Sequence, residues 1–163
     1  MVALQISSEQ VFDWLSEVPD PEIPVLTIAD LGILRGVVIK DEIIVELTPT
    51  YSGCPATEVI EQSVIDALHE QGVENVRVKR VLSPPWTTDW ISAAGREKLK
   101  EYGIAPPAEG ASKRELLQGK RSIACPRCDS LNTAVVSEFG STACKASYKC
   151  GDCLEPFEYF KCI

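Results

Sequence analysis

Two pairs of cysteines near the end of the chain have the spacing of metal ligands. Cys125 and Cys128 form the first pair, and Cys150 and Cys153 form the second. Two residues between cysteines let one tight turn aim both sulfurs at the same ion, and two such turns complete a tetrahedral four-thiolate site. Gly151, inside the second pair, is predicted to take a positive φ. The sequence therefore predicts a metal site in the last forty or so residues.

The expected metal is zinc with a structural role. Four protein ligands leave no open coordination position, so such a site stabilises the fold and does not activate water. A mononuclear iron or an iron–sulfur cluster also accepts four cysteines, and the spacing does not exclude either. Cys144 and Cys162 exceed the ligand count. We expect them to be small buried side chains, with a second thiol pair for metal or redox chemistry as the alternative.

Cys54 stands alone in the first half of the chain and is predicted to lie at or beside the start of a helix. Gly53 before it permits a sharp turn, and Pro55 after it suits the first helical position. Free N–H groups and the helix dipole at such a position favour a thiolate, which binds soft metals or attacks electrophiles. Thr48 and Ser52 add hydroxyl groups nearby. The alternative is an inert, buried thiol.

An acidic loop precedes the first predicted strand. Its sequence is Pro19-Asp20-Pro21-Glu22, in which the prolines hold an extended conformation and two residues carry carboxylates. Taken alone, such a loop is an ordinary solvated segment.

Hydrophobic periodicity predicts a small two-layer α/β domain in the first part of the chain, of α+β character. A helix capped by Ser7 or Ser8 ends before Pro19, and a later helix runs from Pro55 to Gly72. Residues 33–39, 43–47 and 75–82 have the β-branched or alternating patterns of strands. The predicted order is α-β-β-α-β.

The remaining residues are predicted to form a helix, a linker and a zinc ribbon. Residues 88–102 have a helical pattern and are expected to pack back onto the sheet. Residues 105–120 are rich in Pro, Gly and small polar residues, which is typical of a linker. Residues 121–163 are too few for an independent core and need a metal as a staple. The predicted domains are therefore 1–104 and 121–163.

Charge and composition limit the possible partners and the compartment. Residues 1–82 contain five Lys/Arg and fourteen Asp/Glu, and residues 121–163 contain five of each. This excess of negative charge disfavours binding to the phosphate backbone of a nucleic acid, so we expect protein partners and no nucleic acid. No apolar run is long enough to span a bilayer, and the first residues lack a signal-peptide pattern. The expected location is the cytoplasm, where clustered cysteines more often bind metal than form disulfides.

Two segments of the first half resemble a known family. Residues 20–34 (DPEIPVLTIADLGIL) and 48–56 (TPTYSGCPA) resemble the SufT-like family of iron–sulfur assembly domains, which pairs an Asp-Pro-Glu loop with a Gly-Cys-Pro turn. The resemblance implies that Asp20, Glu22 and Cys54 lie at one exposed site used in cluster delivery. It also implies that iron or an iron–sulfur cluster binds there transiently.

Nearly the whole chain resembles the PaaD family of the phenylacetate-degradation system. The resemblance rests on PPWTTDWI from residue 84, GIAPP from residue 103, the cysteine pairs and the closing EPFEYFKC. It implies service to a multicomponent oxygenase that epoxidises phenylacetyl-CoA, with a di-iron subunit and a reductase that has a plant-type iron–sulfur centre. The oxygenase or reductase subunits are the expected partners.

Three functions are compatible with the sequence. The first is a non-enzymatic maturation or repair factor for one of those metal centres. The second is a stoichiometric structural subunit of the oxygenase. The third, nucleic-acid binding by the zinc ribbon, is disfavoured by the charge. An enzyme with a Ser/His/Asp triad is not expected, because His69 is the only histidine and lies on a polar helix face.

Overall fold

The computed structural model describes residues 6–107 and 123–161. The chain forms two compact units, which divide between Trp86 and Thr87. This division differs from the predicted domains 1–104 and 121–163, because it assigns residues 87–104 to the second unit. The predicted linker, residues 105–120, falls mostly outside the described residues.

The first unit has the predicted α-β-β-α-β order. Its elements are α1 (Ser8–Leu15), β1 (Leu34–Ile39), β2 (Ile43–Leu47), α2 (Thr57–Glu70) and β3 (Val76–Arg80). The sheet has the order β1-β2-β3, with β1 antiparallel to β2 and β2 parallel to β3. α1 contacts β1 and α2, and α2 contacts β3. The two helices therefore form one layer and the sheet forms the other, which confirms the predicted fold class.

Local signals set the ends of the two helices. The Ser7 hydroxyl accepts a hydrogen bond from the N–H of Gln10 (3.1 Å) and caps α1, as predicted. At the end of α2, the N–H of Gly72 bonds to the carbonyl of His69 (2.9 Å), and the N–H of Val73 bonds to that of Leu68 (3.0 Å). Gly72 has φ 82°, so this is a Schellman motif that requires a left-handed residue.

The core of the first unit lies between its helices and its sheet. Trp86, its last residue, is buried, and its indole N–H donates to the carbonyl of Leu31 (2.8 Å). Strand β2 alternates buried and half-buried residues, as expected for a sheet covered on one face. The other buried apolar residues include Val11, Leu15, Leu26, Ile28, Val45, Val64 and Leu68.

The second unit is a four-stranded sheet with a preceding helix. A short 3₁₀ helix (Thr88–Trp90) comes before α3 (Ala93–Tyr102), β4 (Ile104–Ala105), β5 (Thr133–Ser137), β6 (Lys145–Cys150) and β7 (Pro156–Phe160). The sheet has the order β4-β7-β6-β5, with β4 parallel to β7 and the other pairs antiparallel. Its core cluster consists of Ala105, Ile123, Cys125, Cys150, Phe157 and Tyr159.

The predicted helix over residues 88–102 is divided in two. Ile91 is extended (φ −66°, ψ 127°), and Ser92 caps α3 by accepting from the N–H of Gly95 (2.8 Å). This segment belongs to the second unit, where α3 leads directly into β4, which pairs with β7. Its packing onto the first sheet stays a prediction.

Within the described ranges, none of the helices has the length and apolar character that a membrane crossing requires.

Candidate metal centre and thiol site

The four predicted metal ligands converge on one point. The sulfurs of Cys125, Cys128, Cys150 and Cys153 all lie within 4.8 Å of one another. The Sγ–Sγ distance is 3.7 Å between Cys125 and Cys153 and 3.6 Å between Cys128 and Cys150. Four sulfurs about 2.3 Å from a zinc ion are about 3.8 Å apart, so these sulfurs fit a tetrahedral zinc site.

The two cysteine turns have the same backbone geometry. In the first turn the N–H of Cys125 bonds to the carbonyl of Ser130 (2.9 Å), and in the second the N–H of Cys150 bonds to the carbonyl of Glu155 (3.0 Å). The residue after the second cysteine of each pair has a positive φ. Each turn therefore aims its two sulfurs in the same way, as a shared metal requires.

The left-handed residues of these turns are not glycines. They are Asp129 (φ 57°) and Leu154 (φ 64°), and Gly151 is not among the residues with positive φ. The prediction for Gly151 is therefore wrong. A different constraint acts on this residue, because an added Cβ would lie 2.6 Å from Nδ2 of Asn132.

The electrostatics of the thiols suit a cation. Backbone N–H groups of Cys153 and Asp152 stabilise the thiolate of Cys150 and lower its pKa to about 6. At Cys128 the N–H of Ser130 lowers the pKa, but desolvation and the neighbouring sulfurs outweigh it and raise the pKa to about 12. Several thiolates at such short distances repel one another, so a divalent cation is needed to hold all four in the deprotonated form.

A side-chain bridge joins the two cysteine turns. The carboxylate of Asp152 in the second turn accepts from the side-chain amide of Asn132 (2.7 Å) and from the hydroxyl of Ser130 in the first. These two bonds lower the pKa of Asp152. When bound, zinc would crosslink the same two turns and supply no catalytic chemistry.

Of the two additional cysteines, the structure describes Cys144. Cys144 is buried, and its sulfur lies 3.0 Å from the hydroxyl of Thr142, consistent with a small packed side chain. Cys162 lies outside the described residues.

Cys54 lies in the turn directly before α2, beside the helix N-terminus as predicted. Gly53 has φ 93°, as the sharp turn requires. The N–H of Thr57 bonds to the carbonyl of Cys54 (3.2 Å), and α2 begins at Thr57. Pro55 is therefore not the first helical residue, and the thiol precedes the helix by an extra turn. The Cys54 side chain is partly exposed.

The acidic loop is built around one buried carboxylate. Asp20 is only 7% exposed, and its Oδ1 accepts from the N–H groups of Glu22 and Ile23, both at 2.8 Å. The expectation that this carboxylate is exposed is therefore wrong, because the carboxylate holds its own loop together. Glu22 is partly exposed.

The two segments that resemble the assembly family meet at the start of β1. The N–H of Thr48, at the start of the thiol segment, donates to the carbonyl of Ile33, near the end of the acidic-loop segment (2.9 Å). The Thr48 side chain is 2% exposed, and its Oγ1 has no hydrogen-bond partner among the described residues. A buried hydroxyl without a hydrogen-bond partner costs free energy of folding, so Thr48 is an unusual residue of this site. Sequence alone does not reveal that this hydroxyl is buried and unpaired.

Comparison with known proteins identifies both units. A family model described as "PaaD zinc beta ribbon domain" matches residues 109–161, and one described as "Iron-sulfur cluster assembly protein" matches residues 8–82. An Escherichia coli (strain K12) protein, provisionally named as one of the subunits of 1,2-phenylacetyl-CoA epoxidase, is 50% identical over 155 residues, which are 94% of this chain and 92% of that protein. The chain belongs to the PaaD family.

Other relatives cover only about half of this PaaD-family chain. "Fe-S protein maturation auxiliary factor SufT" of Staphylococcus aureus (strain USA300) is 37% identical over 76 residues, 45% of this chain and 85% of that protein. The crystal structure of a domain of unknown function, DUF59, from Bacillus anthracis has a TM-score of 0.52 and 26% identity. It covers 56% of this chain and 90% of its own. The zinc ribbon is thus added to an assembly-type domain.

Proposed function

We propose that this chain is a non-enzymatic accessory protein of phenylacetyl-CoA epoxidase that matures or repairs one of its metal centres in the cytoplasm. The name of the Escherichia coli relative supports the client, and the iron–sulfur assembly match over residues 8–82 supports the activity. The main observation is Cys54, which is partly exposed and is the one cysteine among residues 6–86.

In this proposal the residues of the first unit hold a transferable cargo. Cys54 provides a thiolate for iron or for an iron–sulfur cluster, both of which prefer sulfur ligands. Asp20 and Glu22 belong to the same transfer site, Asp20 by fixing its loop and Glu22 as a partly exposed carboxylate. The Thr48 N–H, bonded to Ile33, joins the two segments that form the site.

Delivery is an exchange of ligands and needs no oxidant or reductant. One client thiol displaces Cys54 from the cargo: the client thiol loses its proton as its metal–sulfur bond forms, and Cys54 takes up a proton as its own metal–sulfur bond breaks. The zinc ribbon contributes a rigid surface for the client and does not exchange its metal, because its four thiolates leave no open position.

The test replaces the thiol alone. The epoxidase subunits are produced together with the wild-type chain or with Cys54→Ser, and iron, sulfide and visible absorption are measured on the purified reductase and oxygenase subunits. We expect metal occupancy of the client to fall about tenfold or more, as for loss of a metal-supporting group. Ser52→Ala, in the same turn, is the matched control and should leave occupancy unchanged.

A Cys54→Ser variant that loads both clients as well as wild type does would contradict the proposed role of the thiol. The variant must remain folded for this comparison, and we expect it to, since Cys54 is not part of the buried core.

A second function, as a stoichiometric structural component, is favoured by the name of the Escherichia coli relative, which places that protein among the epoxidase subunits. The two functions differ after assembly is complete. A maturation factor can be removed from loaded epoxidase without loss of turnover, whereas removal of a structural component stops turnover, and Cys54→Ser protein then restores it.

A further inference from the structure

An open groove runs between α1 and α2 on the first unit. It has a volume of about 590 Å³, and Trp14 of α1 and Ala67 of α2 contribute to its apolar floor. Trp14 and Ala67 are both partly exposed. Grooves of this kind between two helices commonly accept an apolar side chain of a partner segment.

Four acidic residues border the groove. Asp13 and Glu17 lie on the α1 side, Asp66 and Glu70 lie on the α2 side, and no Lys, Arg or His is among the described residues that line it. Within the described part of the chain, none of the four forms an ion pair. Glu61, on another face of α2, differs because it pairs with Arg80 (2.9 Å to Nη2). Among the described residues, the negative charge of the groove is therefore not balanced by any ion pair.

The spacing of these carboxylates does not suit a metal ion. Among the described residues, the only cluster of three or more ligands close enough to share an ion is the cysteine quartet. The acidic groups instead follow the two sides of the groove, which suits several cations spread along a peptide segment.

The charge also selects among macromolecules. Nucleic acids and anionic membranes would be repelled by four carboxylates, and so would a second copy of a chain with net charge −8. Positively charged segments with an apolar residue between their cations complement both the sides and the floor of the groove.

We propose that the groove between α1 and α2 is the docking surface for a Lys/Arg-bearing amphipathic segment of the client protein. The client is a separately folded oxygenase or reductase subunit of the epoxidase. Only this identity rests on the proposed function. In this scheme the groove binds the client protein, and Cys54 provides the thiolate that carries its metal cargo.

The test compares two charge reversals of equal size. Glu17→Lys with Glu70→Lys alters the groove. Both positions lie near helix C-termini, where a cation is favourable for the fold. Asp41→Lys with Glu74→Lys is the matched control, because both residues are exposed and do not line the groove. Binding of the separately purified oxygenase and reductase subunits is measured by biolayer interferometry.

We expect the groove variant to raise the Kd for one of these clients about tenfold or more, and the control variant to change it about twofold or less. Raising the salt concentration should weaken binding of the wild type and the control, because screening reduces the attraction. Ala67→Phe fills the floor without a change of charge and should also weaken binding.

The outcomes separate this inference from the proposed function. Cys54→Ser protein should bind the client normally while failing to load it. Equal affinity of the groove and control variants, or no binding of either client by wild type, would overturn the inference even if maturation requires Cys54. Sedimentation that shows a dimer of this chain, lost in the groove variant, would also overturn it, since a second copy would then be the occupant.

Discussion

Two glycines of the first unit have the same backbone strain but different neighbours. Gly53 (φ 93°) precedes Cys54, whereas Gly72 (φ 82°) ends α2, and an added Cβ would meet no atom within 4 Å at either. Alanine at either position should lower the free energy of unfolding by about 1–2 kcal/mol, through the cost of the left-handed conformation alone. We expect only Gly53→Ala to impair client loading as well, because it redirects the turn that presents the thiol.

Denaturant unfolding and metal occupancy of the client measure the two effects separately, with Gly72→Ala as the matched control. Equal client loading by the two variants would show that the turn geometry at Gly53 does not matter. At this scale the sequence predicts two features well: the four zinc ligands follow from their spacing, and the sharp turn at Gly53 follows from its residue type. It does not reveal the burial of Asp20 or of the Thr48 hydroxyl, because a polar residue type in a loop gives no local sign that its side chain is buried.

Among the elements, α3 and β4 connect most directly to the metal centre. Lys100 of α3 donates to Asp129 in the first cysteine turn (2.7 Å), and β4 pairs with β7, which contains the buried Tyr159 and Phe160. A fragment that begins at Thr87 should therefore give a dispersed amide NMR spectrum with zinc. One that begins at residue 121 should give a poorer spectrum and lose zinc more readily. Zinc-chelator competition on the two fragments measures the difference.

Identical zinc affinity and spectral dispersion in both fragments would show that β4 and α3 are not needed by the ribbon.

The elements of the first unit were predictable because each has a clear hydrophobic period and a capping or turn residue. β4 and β7 were not predicted from pattern. β4 spans only Ile104–Ala105, and β7 follows the second cysteine turn without a separating signal. Their strand character comes from pairing between distant segments, which local patterns do not contain.

For the whole molecule, the two units are stabilised in different ways. The first has a core of aliphatic side chains and Trp86, with no metal ligand cluster among residues 6–86. In the second, Cys125 and Cys150 are themselves members of the small core cluster. Zinc binding energy is thus folding energy for the second unit only. This division could be anticipated from the position of the cysteines, although the boundary at Trp86 could not.

Removal of zinc should therefore unfold one unit and leave the other intact. The three tryptophans report on this directly: Trp14 and Trp86 belong to the first unit, and Trp90 to the second. With a strong chelator, the indole N–H resonance of Trp90 should move to its random-coil position, because the four thiols lose the ion that holds their turns together. The resonances of Trp14 and Trp86 should persist, and added zinc should restore that of Trp90. Cys54→Ser protein should behave identically, whereas Cys150→Ser should give the chelated spectrum without chelator. Simultaneous loss of all three resonances would mean that the assembly-type unit depends on the ribbon, and persistence of all three would mean that zinc is not needed for the fold.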